Sequence, residues 1–204
     1  LYALGESPVP RFVGRESEPE DMERFQCILA KHEGAVTAPT AGMHFSREMM
    51  KRLEIRGIDM AFLTLHCGLG NFRNTDVEDL TKHKMDSEQM FVNEECCRIV
   101  NKAKDEERKV VAIGTTVQRA LEASCSTDNR IKEFEGWTNK FIFPPYEFHV
   151  ADAMLVNFYL PYSTLLMLTA AFGGYELVYE AYKMAVKNGY MFGCYGDSLL
   201  MLPD

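Results

Sequence analysis

Val110-Val111-Ala112-Ile113 followed by Gly114-Thr115-Thr116-Val117-Gln118-Arg119 reads as a buried strand that runs directly into a helix. A short apolar run rich in β-branched residues fits a strand covered on both faces. The glycine and two threonines at its end suit a tight turn and a helix start. The same alternation extends outward in both directions. A Ser17-Glu18-Pro19-Glu20 start predicts a helix with Met22, Phe25, Ile28 and Leu29 inward, ended by Gly34. Ser46 caps a second helix carrying Met49, Met50 and Leu53, stopped by Gly57, and Ile58 to Leu65 reads as a buried strand. Asn93 opens a helix with Cys96, Cys97, Val100 and Ala103 inward, ahead of the Val110 strand, and a helix over Thr116 to Ala123 follows it. Ser124 to Trp137 reads as polar loop and Phe141-Ile142-Phe143 as a short strand stopped by Pro144-Pro145. Helices over Ser163–Phe172 and Tyr175–Lys187 precede a last strand at Met191–Tyr195. The expected class is α/β, with mainly parallel strand pairing.

Composition narrows the functions open to such a chain. At 204 residues, 47% hydrophobic and 25% charged, it is an ordinary globular sequence. A formal net charge of −8 argues against a broad basic face laid on nucleic-acid phosphates. The longest apolar stretch, Leu165 to Phe172, is far short of the ~20 residues a membrane span requires. Its six cysteines (Cys27, Cys67, Cys96, Cys97, Cys125, Cys194) contain no Cys-x-x-Cys pair, so no metal is expected and a reduced, cytoplasmic setting is. Residues 1–15, opening Leu1-Tyr2-Ala3-Leu4-Gly5 without Met, read as a connector leading into a core over residues 16–204.

Chemistry-bearing residues gather at the junctions. Ala38-Pro39-Thr40-Ala41-Gly42-Met43-His44-Phe45 runs into the Ser46 cap, where free N–H groups can meet an anion. Thr64-Leu65-His66-Cys67-Gly68-Leu69-Gly70-Asn71-Phe72-Arg73 leaves a strand, and Gly68 and Gly70 let a ligand approach the backbone. It is no dinucleotide fingerprint, because Arg73 stands at the third glycine position. His83-Lys84-Met85-Asp86-Ser87-Glu88 reads on spacing alone as a solvated charged turn. Thr115, Thr116 and Arg119 suit an anion or a hydroxyl-rich ligand, or form an ordinary helix cap. Tyr146, Asp152 and Asn157 sit in an apolar run where each polar group needs a partner or a ligand, and Asp197 is a turn residue or a site carboxylate.

Taken in order, these motifs, together with Pro144-Pro145-Tyr146-Glu147-Phe148, Asn157-Phe158-Tyr159-Leu160-Pro161, Ser163-Thr164-Leu165-Leu166-Met167 and Tyr195-Gly196-Asp197, closely resemble the S-adenosylmethionine:tRNA ribosyltransferase-isomerase family of queuosine biosynthesis. The resemblance runs from about Gly5 to Leu202. It implies transfer and isomerisation of the ribosyl group of S-adenosylmethionine, a consumed cosubstrate, onto 7-aminomethyl-7-deazaguanine at the tRNA wobble position. Epoxyqueuosine-tRNA forms, adenine and methionine leave, and no metal is implied. It also implies a barrel-like α/β domain beside a small β-barrel domain that would precede Leu1, so the chain is expected to be the C-terminal part of a longer, monomeric enzyme. Tyr159 stands where the family usually has His, and Asn71 where it usually has Thr. A tyrosine, with a pKa near 10, is a poor base at neutral pH.

The implied chemistry assigns residues to tasks. A sulfonium acidifies the ribose carbon beside it, and His44 or His66 is the expected base, with Asp152 as a third catalytic candidate. Thr40, Gly68, Gly70, Phe72, Thr115, Thr116, Arg119, Tyr146, Asn157 and Asp197 are the expected S-adenosylmethionine contacts. Arg73, His83 and Lys84 are the expected RNA contacts, in a basic strip that also holds Lys51, Arg52, Arg56 and Lys82. A wobble base lies in a single-stranded loop, so a local strip is enough to hold it. Two other readings compete: a non-catalytic tRNA- or nucleotide-binding fragment, and an unrelated S-adenosylmethionine-dependent methyltransferase.

Overall fold

Strand β3 (Val111–Ile113) and the helix it feeds, α4 (Thr115–Ser124), occupy the centre of the fold. The structure is a computed structural model that describes residues 5–202. The remaining elements are α1 (Asp21–Arg24), α2 (Arg47–Ile55), β1 (Thr64–His66), β2 (Glu88–Val92), α3 (Glu94–Asp105), β4 (Phe134–Thr138), β5 (Ala153–Asn157), α5 (Thr164–Gly173), α6 (Tyr175–Lys187) and β6 (Ser198–Met201). They form a mixed α/β molecule with two three-stranded sheets, ordered β1-β2-β4 and β3-β5-β6.

Pairing departs from the mainly parallel expectation. Only β3 and β5 run parallel among the described strands; β1·β2, β2·β4 and β5·β6 are antiparallel. Helix–strand alternation implies parallel crossovers only when strands before and after a helix join the same sheet. Here the strands flanking α3 and α4 fall into different sheets, and β1 and β2 have no α-helix between them. Helix α4 touches strands of both sheets and so ties them together.

Capping explains where three of the six described α-helices begin. Ser46 Oγ accepts from the Met49 N–H, Asn93 Oδ1 from Cys96 and Ser163 Oγ from Leu166, at 3.0, 2.8 and 3.1 Å. The inward face expected for α3 is present, with Cys96, Cys97, Val100 and Ala103 buried. Cys96, Cys97 and Val100 pack in a core with Met90, Ala112, Ile142, Met154 and Val156. All six cysteines are free thiols, and all but Cys125 are buried as small apolar groups.

Further sequence expectations are corrected, among them the Ser124–Trp137 loop, which is bridged at Cys125 and Ile131 and ends in strand β4 paired with β2. The helix expected from Ser17 to Gly34 is a single turn, because Met22 and Ile28 are half exposed and offer no face to pack. The Ile58–Leu65 run forms a strand only from Thr64, with Ile58 and Phe62 in solvent. Phe141–Phe143 joins no sheet among the described strands, and its Phe141 and Phe143 rings pack on each other, tilted, 4.9 Å apart. Met191–Tyr195 is a turn, closed by hydrogen bonds between Met191 and Asp197, and the strand β6 begins after it. Within the segment read as a connector, Arg11–Val13 forms a 3-10 turn, and the Phe12 ring lies so close to Gly193 that a Cβ there would sit 2.6 Å from it.

Candidate active site

Parallel strands present their carboxyl ends on one edge, where α/β folds place ligands. Only β3 and β5 provide such an edge among the described strands, and three motifs meet on it. Gly114 leaves β3 with φ 104° and ψ 147°, a region essentially restricted to glycine. Thr115 then opens α4, and its buried hydroxyl lies 3.2 Å from the Tyr159 hydroxyl. The 3-10 turn Thr40–His44 crosses the same edge, with Ala41 buried 3.6 Å from where a Cβ on Gly114 would stand. His44 is exposed, and its Nε2 is 3.2 Å from Asn157 Oδ1 at the end of β5.

The setting of Asn157 decides which ring nitrogen of neutral His44 carries the hydrogen. Asn157 Nδ2 is ringed by the carbonyls of Gly193, Gly196 and Cys194, at 3.0, 3.3 and 3.5 Å. Carbonyls only accept, so the amide nitrogen must face them and the amide oxygen must face His44. That oxygen accepts, so Nε2 carries the hydrogen and neutral His44 keeps its Nδ1 lone pair as a proton acceptor. Tyr159 differs in kind. Burial pushes its hydroxyl up to about 12, which keeps it protonated and suited to hydrogen bonding rather than proton abstraction.

A buried ion pair fastens the second wall. Glu88 Oε2 pairs with Arg119 Nη2, and Oε1 accepts the Gly68 N–H at 2.9 Å. Both side chains are almost wholly buried. Burial pulls Arg119 below its ordinary value, yet an arginine remains charged. Between the first turns of α4 and α5 lies a cleft lined by Asn71, Thr115, Thr116, Arg119, Lys140 and Thr164 on its polar side, with Met85, Ile142, Leu165 and Leu168 on its apolar side.

The family model for the queuosine biosynthesis protein matches residues 1–201. The chain belongs to that family. It is 67% identical over 202 residues to the S-adenosylmethionine:tRNA ribosyltransferase-isomerase of Phocaeicola vulgatus, covering 99% of this chain and 58% of that protein. It is 46% identical to the protein of the same name from Chloroherpeton thalassium, covering 97% of this chain and 58% of that one. A crystal structure of S-adenosylmethionine tRNA ribosyltransferase from Thermotoga maritima shares 38% identity with a TM-score of 0.66, over 79% of this chain and 51% of that chain. The chain thus spans somewhat more than half the length of the relatives it matches.

Within this family member, the remaining candidates divide by location. His66 lies on β1, edge-on to Phe91 at 5.9 Å, facing a separate hollow with Glu33, Asp86 and Trp137. A Cβ on Gly34 would sit 2.8 Å from His66 Nδ1, which keeps that approach to glycine. Asp152 precedes β5 at the end opposite Asn157, about 16 Å away at ~3.3 Å per residue. Its carboxylate accepts from the Val110 N–H at 2.8 Å and meets Lys109 at 3.2 Å, so it fixes the strand start. Asn157 itself is 1% exposed, and its amide is spent on carbonyls and His44 rather than left open to a ligand. Asp197 Oδ2 accepts from the Met191 N–H at 2.8 Å and holds the turn around Asn157 closed. Tyr146 donates to Glu122 at 3.1 Å, and both the carboxylate and burial push its hydroxyl far above the ordinary range.

Gly70 lies against Asp86, where a Cβ would come within 2.7 Å of Oδ2, and Asp86 also pairs with Arg73 at 3.3 Å. Thr40 opens the 3-10 turn, and the Phe72 side chain lies outside the described residues. His83 packs on Phe141 at 4.9 Å, while Lys84 is exposed. The basic strip is interleaved with carboxylates: Lys51 pairs with Glu54, Arg52 with Glu48 and Lys82 with Asp79. Glu88, Lys140 and Thr164 carry site geometry that the sequence reading does not single out. Among the described residues no group of three His, Cys, Asp or Glu side chains could hold a metal, and no helix is long and apolar enough to cross a membrane.

Proposed function

We propose that this chain carries the S-adenosylmethionine-binding core of a ribosyltransferase-isomerase acting on tRNA. The reaction moves the ribosyl group of S-adenosylmethionine onto 7-aminomethyl-7-deazaguanine at the wobble position, forms epoxyqueuosine-tRNA and releases adenine and methionine. The observation that carries this reading is the His44–Asn157 pair at the carboxyl edge of β3 and β5, beside a cleft with hydroxyl, amide and cationic groups. Its chemistry suits the activity for which the relatives are named.

His44 accepts the proton from the ribose carbon next to the sulfonium through Nδ1, while Asn157 holds the ring by Nε2. Thr115 and Tyr159 bond each other at the same edge and offer hydroxyls to the ribose. The Glu88–Arg119 pair fixes the Gly68 backbone, so the second wall is built before a ligand arrives. The tRNA contacts fall on the 73–84 segment, where Arg73 and Lys84 are exposed and His83 is half-buried against Phe141.

The test is to incubate the full chain with S-adenosylmethionine and tRNA bearing the deazaguanine precursor, then identify the small products. Adenine together with epoxyqueuosine-tRNA is the expected outcome. S-adenosylhomocysteine would contradict the proposal and indicate methyl transfer. Tight tRNA binding without adenine would instead assign the chain a binding role.

A further inference from the structure

Strand β2 is paired on both sides, and its alternation gives the β1-β2-β4 sheet two unlike faces. Met90 faces inward, opposite Leu65 of β1 and Gly136 of β4, and joins Ala120 and Leu121 of α4 in the core. Its neighbour Gln89 therefore faces outward, opposite His66 of β1 and Trp137 of β4. The three side chains form one row across the outer face of the sheet. Trp137 is 66% exposed, although an indole is a large apolar group that usually finds cover and a partner for its N–H. The same three residues line a hollow of about 440 Å³ together with Glu33, Asp86 and Ser87.

The walls of the hollow restrict what enters it. Its volume falls within the roughly 300–1,000 Å³ of small-ligand pockets. Glu33, Ser87 and Gln89 carry polar side chains with no hydrogen-bond partner among the described residues. The Glu33 and Asp86 carboxylates repel a phosphate and accept N–H groups. A nucleobase suits both features, since it offers a ring face to the indole and at least one N–H on its pairing edge. The cations stand at the rim instead: Arg73 pairs with Asp86 at 3.3 Å, and exposed Lys84 lies two residues before it. An RNA strand along that rim sets its phosphates on Arg73 and Lys84 and turns a base inward over Trp137. Stacking of unpaired bases on aromatic side chains of a sheet face is a common way to hold single-stranded RNA.

We propose that this hollow takes a second unpaired base of the tRNA loop, a neighbour of the one that reacts, stacked on Trp137 with its pairing edge toward Glu33 and Gln89. The inference rests on the function proposed above. The Glu88–Arg119 pair separates the hollow from the His44 edge. Glu88 Oε1 holds Gly68 at the hollow, while Arg119 lies one turn beyond Thr115 on α4. A base over Trp137 is therefore held beside the reacting nucleotide and takes no part in the chemistry.

Trp137 is the chain's single tryptophan, so its fluorescence under selective excitation reports the hollow alone. Titration of the full chain with tRNA bearing the deazaguanine precursor should quench that emission, and duplex RNA of similar length should leave it unchanged. Trp137→Ala removes an exposed ring, so the melting temperature should hold while tRNA binding weakens roughly 5- to 150-fold. Trp137→Phe keeps a ring and should retain most of the affinity. In adenine release, Trp137→Ala should raise KM for tRNA far more than it lowers kcat. Unquenched emission at saturating tRNA would overturn the proposal, as would equal tRNA affinity in Trp137→Ala or equal quenching by duplex RNA. Emission that changes with protein concentration and not with tRNA would also overturn it, giving the face to a second copy of the chain. Quenching by tRNA, lost in Trp137→Ala, without any adenine release would support the hollow and count against the transfer reaction.

Discussion

On the proposed mechanism His44 is available as a base because Asn157 spends its amide nitrogen on backbone carbonyls and turns its oxygen to Nε2. His44→Gln should therefore lower turnover by about 10²- to 10⁴-fold with little change in melting temperature, since the side chain is exposed. Asn157→Leu should lower both, because the three carbonyls lose their donor and the imidazole its anchor. Glu88→Gln removes one partner of a buried ion pair and should destabilise the chain by about 3–5 kcal/mol in denaturant titration. At this scale the sequence is informative where chemistry coincides with turn residues: His44, Thr115 and Asn157 stand at glycine- or strand-end junctions, and the structure brings them to one edge. Glu88 shows the limit. It ends the polar run His83–Glu88, which reads as surface charge, and only the fold reveals that β2 carries it inward to Arg119.

Elements that open on a side-chain cap are legible; strands that depend on a distant partner are not. Helices α2, α3 and α5 begin one residue after Ser46, Asn93 and Ser163. Asn93→Ala should reduce stability by about 1 kcal/mol, read as a shift in the denaturation midpoint. Helix α4 has no such cap and depends on the glycine backbone before it. Gly114→Ala should cost roughly 1–3 kcal/mol and also weaken ligand binding, because Gly114 sets the direction of Thr115. Strands β2 and β4 are missed for a physical reason. Each pairs with a neighbour far along the chain, and their alternation is blurred by Glu88 and Gln89 in one and by Gly136 in the other. The aromatic run Phe141–Phe143 misleads in the opposite sense, since its residues pack on each other instead of pairing in a sheet.

At the scale of the whole molecule, Arg15 and Asp21 are stitched to the loop behind the proposed active edge. Arg15 holds the Asp21 carboxylate through two hydrogen bonds of 2.6 and 2.8 Å, and Tyr195 donates to it at 2.6 Å. Those bonds, with the Glu18 N–H, hold the Asp21 carboxyl well below its ordinary value of 3.8. A depressed carboxyl stabilises the folded chain fully above that ordinary value and ceases to as pH falls through the folded one. Melting temperature should accordingly drop as pH is taken below about 4, and Asp21→Asn should start lower and lose less over that range. Tyr195 belongs to the 193–196 turn whose carbonyls hold Asn157, so this stitch supports the His44 edge from behind. On the proposed function, catalysis occurs on that edge with His44 rather than His66 as the base. Single-turnover adenine release from S-adenosylmethionine and precursor tRNA, compared between the unsubstituted chain, His44→Gln and His66→Gln, tests it most directly. Loss of the burst in His44→Gln with most of it retained in His66→Gln is the expected result; a full burst in His44→Gln would contradict it.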